Sequence, residues 1–280
     1  ESINNTNIYF YQYIILIIMS IVKKIAFLVS GNIRIFEKNL LFLESIKTEF
    51  ADYEIIFVCS VWENQSDLEE FSNKYQIKFI NQINERKWKD EIEKVKFVTS
   101  GENLSWKINN VFHMWHSISE NIKYLEKIVK DNDINFDYVC RFRTDIITLK
   151  GIKHLKNDLE SLENNEFLFS SNRHFRGVTD LFFIANYKTF IQLKNILLYF
   201  NKFIDDQRPF DPEYIFYSFI NESNFKIKIA YKLDIALIRI EEAKPTKTVF
   251  IPFKDKIRIK IAKRKIKIIK FLNKIKYIFR

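Results

Sequence analysis

Glycine is scarce in this chain: four residues in 280, at positions 31, 101, 151 and 177. No glycine-rich phosphate loop and no dinucleotide fingerprint can be assembled from them, which excludes nucleotide binding of the P-loop or G-x-G-x-x-G kind. Cysteine is scarcer still. Cys59 and Cys140 sit in apolar runs without the second-cysteine or histidine spacing of a zinc site, so they read as reduced core thiols of a cytosolic protein, and a disulfide scaffold is ruled out. Long hydrophobic runs are missing too. The most apolar stretch, residues 8–22, holds about fifteen residues against the roughly twenty that span a bilayer. It has no basic leader and no small-residue cleavage site, so it does not read as a secretory signal.

What is present is a large apolar supply, 47% hydrophobic and 16% aromatic, enough for a substantial core in one or two domains. The formal charge of +10 is unevenly placed. Residues 254–280 carry twelve Lys or Arg against one Asp, a net of +11, which leaves −1 for the other 253 residues. Ile257, Ile261, Ile268, Leu272, Ile275 and Phe279 fall at helical steps, so residues 246–280 are expected to form a basic amphipathic tail whose segment 254–280 lies on an anionic membrane surface. An ordinary helix docked on the body is the alternative. Nucleic acid is not an expected partner, because no aromatic platform is interleaved with the lysines. At the other end, residues 1–22 form an apolar extension. Met19-Ser20-Ile21-Val22-Lys23-Lys24 resembles a translation start, and residues 1–18 are expected to lie upstream of it.

Residues 23–245 alternate between strand-like and helix-like runs. Ile25–Val29 and Ile55–Cys59 are continuous apolar stretches of the buried parallel kind, and residues 35–50, 66–75, 104–130, 187–203 and 211–221 carry helical periodicity. Further strands are expected at 77–80, 136–142, 167–170 and 180–185, which gives an α/β fold with a Rossmann-type mixed sheet flanked by helices.

The most informative run is Phe136-Asp137-Tyr138-Val139-Cys140-Arg141-Phe142-Arg143-Thr144-Asp145, two arginines and an aspartate at the end of an apolar strand. Arg141, Arg143 and Asp145 alternate, so an extended chain places all three on one side. That is a cradle for an anionic ligand, and for Mg²⁺ or Mn²⁺ at Asp145; the alternative is arginine and aspartate pairing with each other. Two more ligand positions follow from the first strand's end: Ser30-Gly31, where backbone can approach a nucleotide, and Arg34 beyond it.

Three sets of residues resemble bacterial lipopolysaccharide and capsule glycosyltransferases of the WavE-like kind. They are Val29-Ser30-Gly31-Asn32-Ile33-Arg34, Val58-Cys59-Ser60-Val61-Trp62 and Arg141-Phe142-Arg143-Thr144-Asp145. Gly177-Val178-Thr179-Asp180-Leu181-Phe182-Phe183-Ile184-Ala185, Asp211-Pro212-Glu213 and Leu237-Ile238-Arg239 continue the likeness in order, so it covers residues 23 to about 241. The resemblance implies a GT-A-type catalytic domain over residues 23–245, with Arg141 to Asp145 where the donor diphosphate and metal meet the acidic motif. It also implies a nucleotide-sugar donor, with a UDP-sugar favoured, and a lipid-linked glycan acceptor at the inner face of the cytoplasmic membrane. Arginine at 143 departs from the Asp-x-Asp pattern, which leaves metal dependence open.

Sugar transfer of the inverting kind needs a carboxylate to take the acceptor proton, and Asp180 and Glu213 are the candidates. The bland readings are a strand-start turn residue for Asp180 and a first-turn helix acid after a capping Asp and a Pro for Glu213. His174 and Trp62 are candidate acceptor contacts. His113 and His116 share a helix face but have no third ligand in sight, and Trp62, Trp106 and Trp115 read equally as core or as sugar platforms. Two other functions remain open from sequence: a sugar-nucleotide nucleotidyltransferase using the same Arg and Asp cluster, and a non-catalytic membrane-associated assembly protein.

Overall fold

The computed structural model describes residues 22–237, apart from 34–35, 64, 66, 96–103, 149–151, 171–177, 207, 209 and 234. Residues 1–21 and 238–280 lie outside the described residues, and with them most of the N-terminal extension and the whole basic tail.

The first strand, β1 (Lys24–Gly31), is buried from Ile25 onward, as its unbroken apolar run requires. It pairs in parallel with β2 (Glu54–Trp62) on one side and β4 (Tyr138–Phe142) on the other, and β3 (Phe79–Ile83) extends the sheet beyond β2. On the far side of β4 lie β7 (Phe183–Asn186), then β6 (Glu166–Ser170), then β8 (Lys226–Ala230), giving the order β3-β2-β1-β4-β7-β6-β8. Within this sheet only β7 runs against the rest. A small second sheet joins β5 (Ile146–Thr148) to β9 (Ile235–Leu237). The α/β mixed sheet expected from the sequence is therefore present.

Alternation along the strands divides the apolar residues into two cores. Ile25, Phe27, Val29, Phe57, Cys59, Cys140 and Phe142 face helices α1 (Phe36–Glu49), α2 (Leu68–Tyr75) and, after the short α3 (Lys89–Lys94), α5 (Leu155–Glu160). Ala26, Leu28, Ile56, Val58 and Val139 face the long α4 (Leu104–Asn132), with α7 (Ile196–Asp205) and α8 (Pro212–Glu222). On α4 the buried residues Ile108, Phe112, Trp115, Ile118, Ile122, Leu125 and Ile128 recur every three or four positions, the spacing of one helix face. Each such side chain stabilises by about 1.5–3 kcal/mol when fully buried, so this stripe anchors α4 across the sheet. Cys59 and Cys140 are free and buried, and burial pushes both thiols above their ordinary pKa, which makes them inert core residues.

Several boundaries differ from the expectation. The strand expected at 77–80 starts at Phe79, and the one expected at 180–185 starts at Phe183, leaving Asp180 in the turn before it. Residues 187–203 are three pieces: α6 (Tyr187–Phe190), a 3₁₀ turn over Ile191–Asn195, and α7. Strands β5, β8 and β9 and helices α3 and α5 have no counterpart in the sequence reading. No helix among the described residues is long and apolar enough to cross a membrane.

Candidate functional site

Chain order reverses between β1 and β4: β2 and β3 stack on one side of β1, and the chain returns to its other side. In an open α/β sheet, ligands bind outside the carboxyl ends of strands at such a switch point. Gly31 ends β1 at this place and Arg143 follows the end of β4.

Phe142 fixes where β4 stops. Its ring stacks on Phe42 at 5.8 Å and meets Phe27, Phe57 and Tyr75 between 5.9 and 6.3 Å, so the last strand residue is packed from several sides. The next residue leaves the sheet. Asn39, fully buried in the first turn of α1, donates from Nδ2 to the Arg143 carbonyl at 2.8 Å and ties that exit to the helix. The chain then turns at Thr144 and Asp145 into β5. The alternation expected for Arg141, Arg143 and Asp145 therefore does not hold, because strand geometry ends at Phe142.

The three side chains are gathered by a different device. Arg143 grips Asp145 in a two-pronged fork, Nε to Oδ1 at 2.9 Å and Nη2 to Oδ2 at 2.8 Å. Its Nη1 lies 3.4 Å from Asp180 Oδ2. Asp180 arrives by topology: Arg141 is registered opposite Phe183 in the antiparallel β4–β7 pair, so residues following Arg141 run beside residues preceding Phe183. Both carboxylate residues are buried, at 8% and 6% exposure. Behind them Arg141 is 3% exposed, donates from Nη1 to the Phe142 carbonyl at 2.8 Å, and has no partner for Nε among the described residues.

Among the described residues the cluster sets two guanidinium groups against two carboxylates. Burial foremost, then the neighbouring Arg143, pull the Arg141 pKa down to about 10, with Asp180 and Asp145 opposing, so Arg141 stays cationic at neutral pH. Burial also works against charge on Arg143, but hydrogen bonding to Asp145 and the charges of both carboxylates outweigh it and hold its pKa above the ordinary guanidinium value.

Across the switch point is an aromatic corner. Gly31 has φ +87°, a backbone region that side-chain-bearing residues rarely adopt; the space beside it is adequate, with Ser117 Oγ 3.5 Å and Trp62 Nε1 3.9 Å from an added Cβ. Trp62 ends β2, meets His113 edge-on at 5.4 Å and lies flat over His116 at 6.2 Å. Burial lowers the pKa of both histidines, partly offset by Glu85 at His113 and Glu120 at His116, which keeps both rings neutral at neutral pH. Ser30 is buried, its hydroxyl without a partner among the described residues, and Asn121 of α4 donates to the Val29 carbonyl at 2.8 Å.

The structure thus brings together Arg141, Arg143, Asp145 and Asp180 at the end of β4, with Ser30, Gly31 and Trp62 across the switch point. Glu213 lies in the first turn of α8 behind Asp211 and Pro212, on the helix layer rather than on the loops carrying the cluster. Arg34 and His174 lie outside the described residues. Sequence reasoning missed Asn39 and Asn121. A signal existed for the latter, since Asn121 continues the spacing of His113 and Ser117 on α4.

A resident divalent cation fits this arrangement poorly. Both Asp145 oxygens are engaged by Arg143, and no group of three or more His, Cys, Asp or Glu among the described residues is disposed to hold a metal ion.

No protein-family model and no curated protein sequence matches the chain. Similar solved structures exist. The galactosyltransferase LgtC, in complex with donor and acceptor sugar analogues, is 10% identical over 74% of this chain and 73% of its own, with a TM-score of 0.39. Glucosyl-3-phosphoglycerate synthase from Mycobacterium tuberculosis, in complex with Mn²⁺, UDP and phosphoglyceric acid, is 12% identical over 78% of this chain and 72% of its own, at 0.36. Mouse xyloside xylosyltransferase 1 is 8% identical over 74% and 85%, at 0.35.

Proposed function

We propose that this chain is a glycosyltransferase that moves a sugar, a hexose in the simplest case, from a nucleotide-sugar donor, a UDP-sugar favoured, to a growing lipid-linked surface glycan of the lipopolysaccharide or capsule kind. The observation that carries the reading is the pairing of one buried and one half-buried arginine, Arg141 and Arg143, with two buried carboxylates at the sheet's switch point, opposite Gly31. Departure of a nucleoside diphosphate concentrates negative charge on the leaving oxygens, and fixed guanidinium groups in a water-poor pocket stabilise it. Arg143 and Arg141 are the groups proposed for that role, with Ser30, Gly31 and Arg34 as further proposed donor contacts.

Asp180 is the proposed base. Its contact with Arg143 is the longer of the two, 3.4 against 2.8 Å, so a diphosphate that draws Nη1 away loosens this pairing before the one to Asp145. The acceptor hydroxyl then attacks the anomeric carbon, the bond to the diphosphate oxygen breaks, and the hydroxyl proton passes to Asp180. Glu213 is the reserve candidate, and Trp62 and His174 the acceptor contacts. The +11 segment 254–280 supports action at the inner face of the cytoplasmic membrane, where a lipid-linked acceptor is confined.

A thermal-shift screen of nucleotide sugars tests the reading, since a ligand at 100 times its dissociation constant stabilises by about 2.7 kcal/mol. A hit followed by release of nucleoside diphosphate and a glycosylated acceptor supports it. Pyrophosphate release points to nucleotidyl transfer instead, and a screen without any hit overturns it.

A further inference from the structure

We infer that Arg143 is the resident cation of this site, so that the chain binds a diphosphate without a divalent metal and does not take one at Asp145. This rests on the proposed function for the identity of the ligand, while the statement about metal stands on the cluster itself.

The Arg143 fork occupies both Asp145 oxygens at 2.8 and 2.9 Å, and Asp180 holds the third prong. A Mg²⁺ or Mn²⁺ ion typically takes one or two carboxylates and completes its shell with water and phosphate oxygens. To enter here it must compete with two charge-assisted hydrogen bonds for the Asp145 oxygens and stand beside two guanidinium groups, one of them fully buried. Among the described residues the four charges of the cluster cancel, so they present no net negative charge to draw a divalent ion in. A guanidinium has five N–H donors; beyond the three bonds to Asp145 and Asp180, Nη1 and Nη2 each carry a second N–H that can meet phosphate oxygens, which a carboxylate at the same position lacks. Arg141 adds a second donor: its Nε is buried and has no hydrogen-bond partner among the described residues. Asn39, through the Arg143 carbonyl, fixes the backbone from which the fork extends.

The test compares wild type, Arg143→Ala, Arg143→Asp and Asp145→Asn, each checked for folding by circular dichroism. UDP is titrated in EDTA and in excess Mn²⁺ with thermal shift as readout, and Mn²⁺ is titrated alone with its electron paramagnetic resonance signal as readout. Wild type should show the same UDP affinity in EDTA and in Mn²⁺. Arg143→Ala should weaken UDP by at least about tenfold. Arg143→Asp, which adds a second carboxylate two residues before Asp145, should bind Mn²⁺ more tightly than wild type. UDP binding by Asp145→Asn should remain insensitive to EDTA. The inference is overturned if wild type binds UDP only with Mn²⁺, or if it binds Mn²⁺ alone and loses it in Asp145→Asn. Should UDP give no shift in either condition, the donor reading fails, while the Mn²⁺ titration alone decides the metal: gain in Arg143→Asp over wild type supports the inference, and equal binding by both overturns it.

Discussion

Arg143 is braced by Asp145 and Asp180, and Arg208 by Asp206 and Glu222. The closest contacts are alike, 2.8 and 3.4 Å in the first group, 2.8 and 2.7 Å in the second. Even the arginines are similarly covered, with side chains 24% and 29% exposed. The carboxylates differ: 11% and 9% exposed around Arg143, 43% and 31% around Arg208. The first group sits at the switch point of the mixed sheet with the buried Arg141 behind it; the second clasps the end of α7 to the end of α8 on the surface. An arginine between two acids is thus uninformative by itself. Its position relative to the strand ends, and the cost of keeping its partners out of water, separate a site from a strap.

The largest contrast lies in removing each arginine. Arg143→Ala removes the guanidinium that both buried carboxylates share and should cost about 3–5 kcal/mol of stability. Arg208→Ala should cost about 0–1 kcal/mol, as exposed pairs do. Urea unfolding of both variants measures the difference, and equal losses would break the comparison. Asp180→Asn should lower the transfer rate about 10²- to 10⁴-fold with a much smaller change in donor affinity, as loss of a general base does. Glu213→Gln should change only stability, by about 0.3–1 kcal/mol, as a helix-start charge does. Steady-state kinetics with donor titration separate these, and a full-rate Asp180→Asn enzyme removes Asp180 from the chemistry.

How much of this was legible in sequence follows from how each element is stabilised. β1 and β2 are covered on both faces, so Ile25–Val29 and Ile55–Cys59 had to be continuous apolar runs and were readable as such. β8, Lys-Ile-Lys-Ile-Ala at the sheet's edge, has an alternation that the surrounding lysines disguise. β5 and β9 are three residues each and exist because they pair with one another across about ninety positions, a contact no local pattern contains. The site was legible in its members and not in its geometry. Arg143 and Asp145 stood out, but their alternation suggested a shared strand face, whereas a packed Phe142 ends the strand and a fork joins them. Asp180 lies beside Arg143 only because β7 runs opposite to β4, and strand direction is a tertiary property.

The aromatic corner offers a smaller test of the switch point. Gly31 holds φ +87° with room for a methyl group, so Gly31→Ala introduces backbone strain rather than a clash. The expected cost is about 1–2 kcal/mol, the penalty of a left-handed conformation for an L-residue. Because that strain falls where donor backbone contact is proposed, UDP affinity should fall along with Tm. Loss of stability with unchanged UDP affinity would place the donor elsewhere on this edge.

The smallest expected effect belongs to the surface strap and depends on acid. Hydrogen bonding to Lys202 foremost, with Arg208 contributing, holds the Glu222 pKa at about 2, below its ordinary 4.5. A carboxylate depressed in the folded state stabilises fully above its unfolded value, and that contribution is lost as pH falls from about 4.5 towards about 2. Glu222 and its partners are substantially solvated, so the amount is screened to about 1 kcal/mol or less. Glu222→Gln should therefore lower Tm slightly at neutral pH, and the gap from wild type should close through that acid window while UDP affinity stays unchanged throughout. If Glu222→Gln instead weakened UDP, the strap would be coupled to the switch point through α7 and α8, and the division between the two arginine groups would no longer hold.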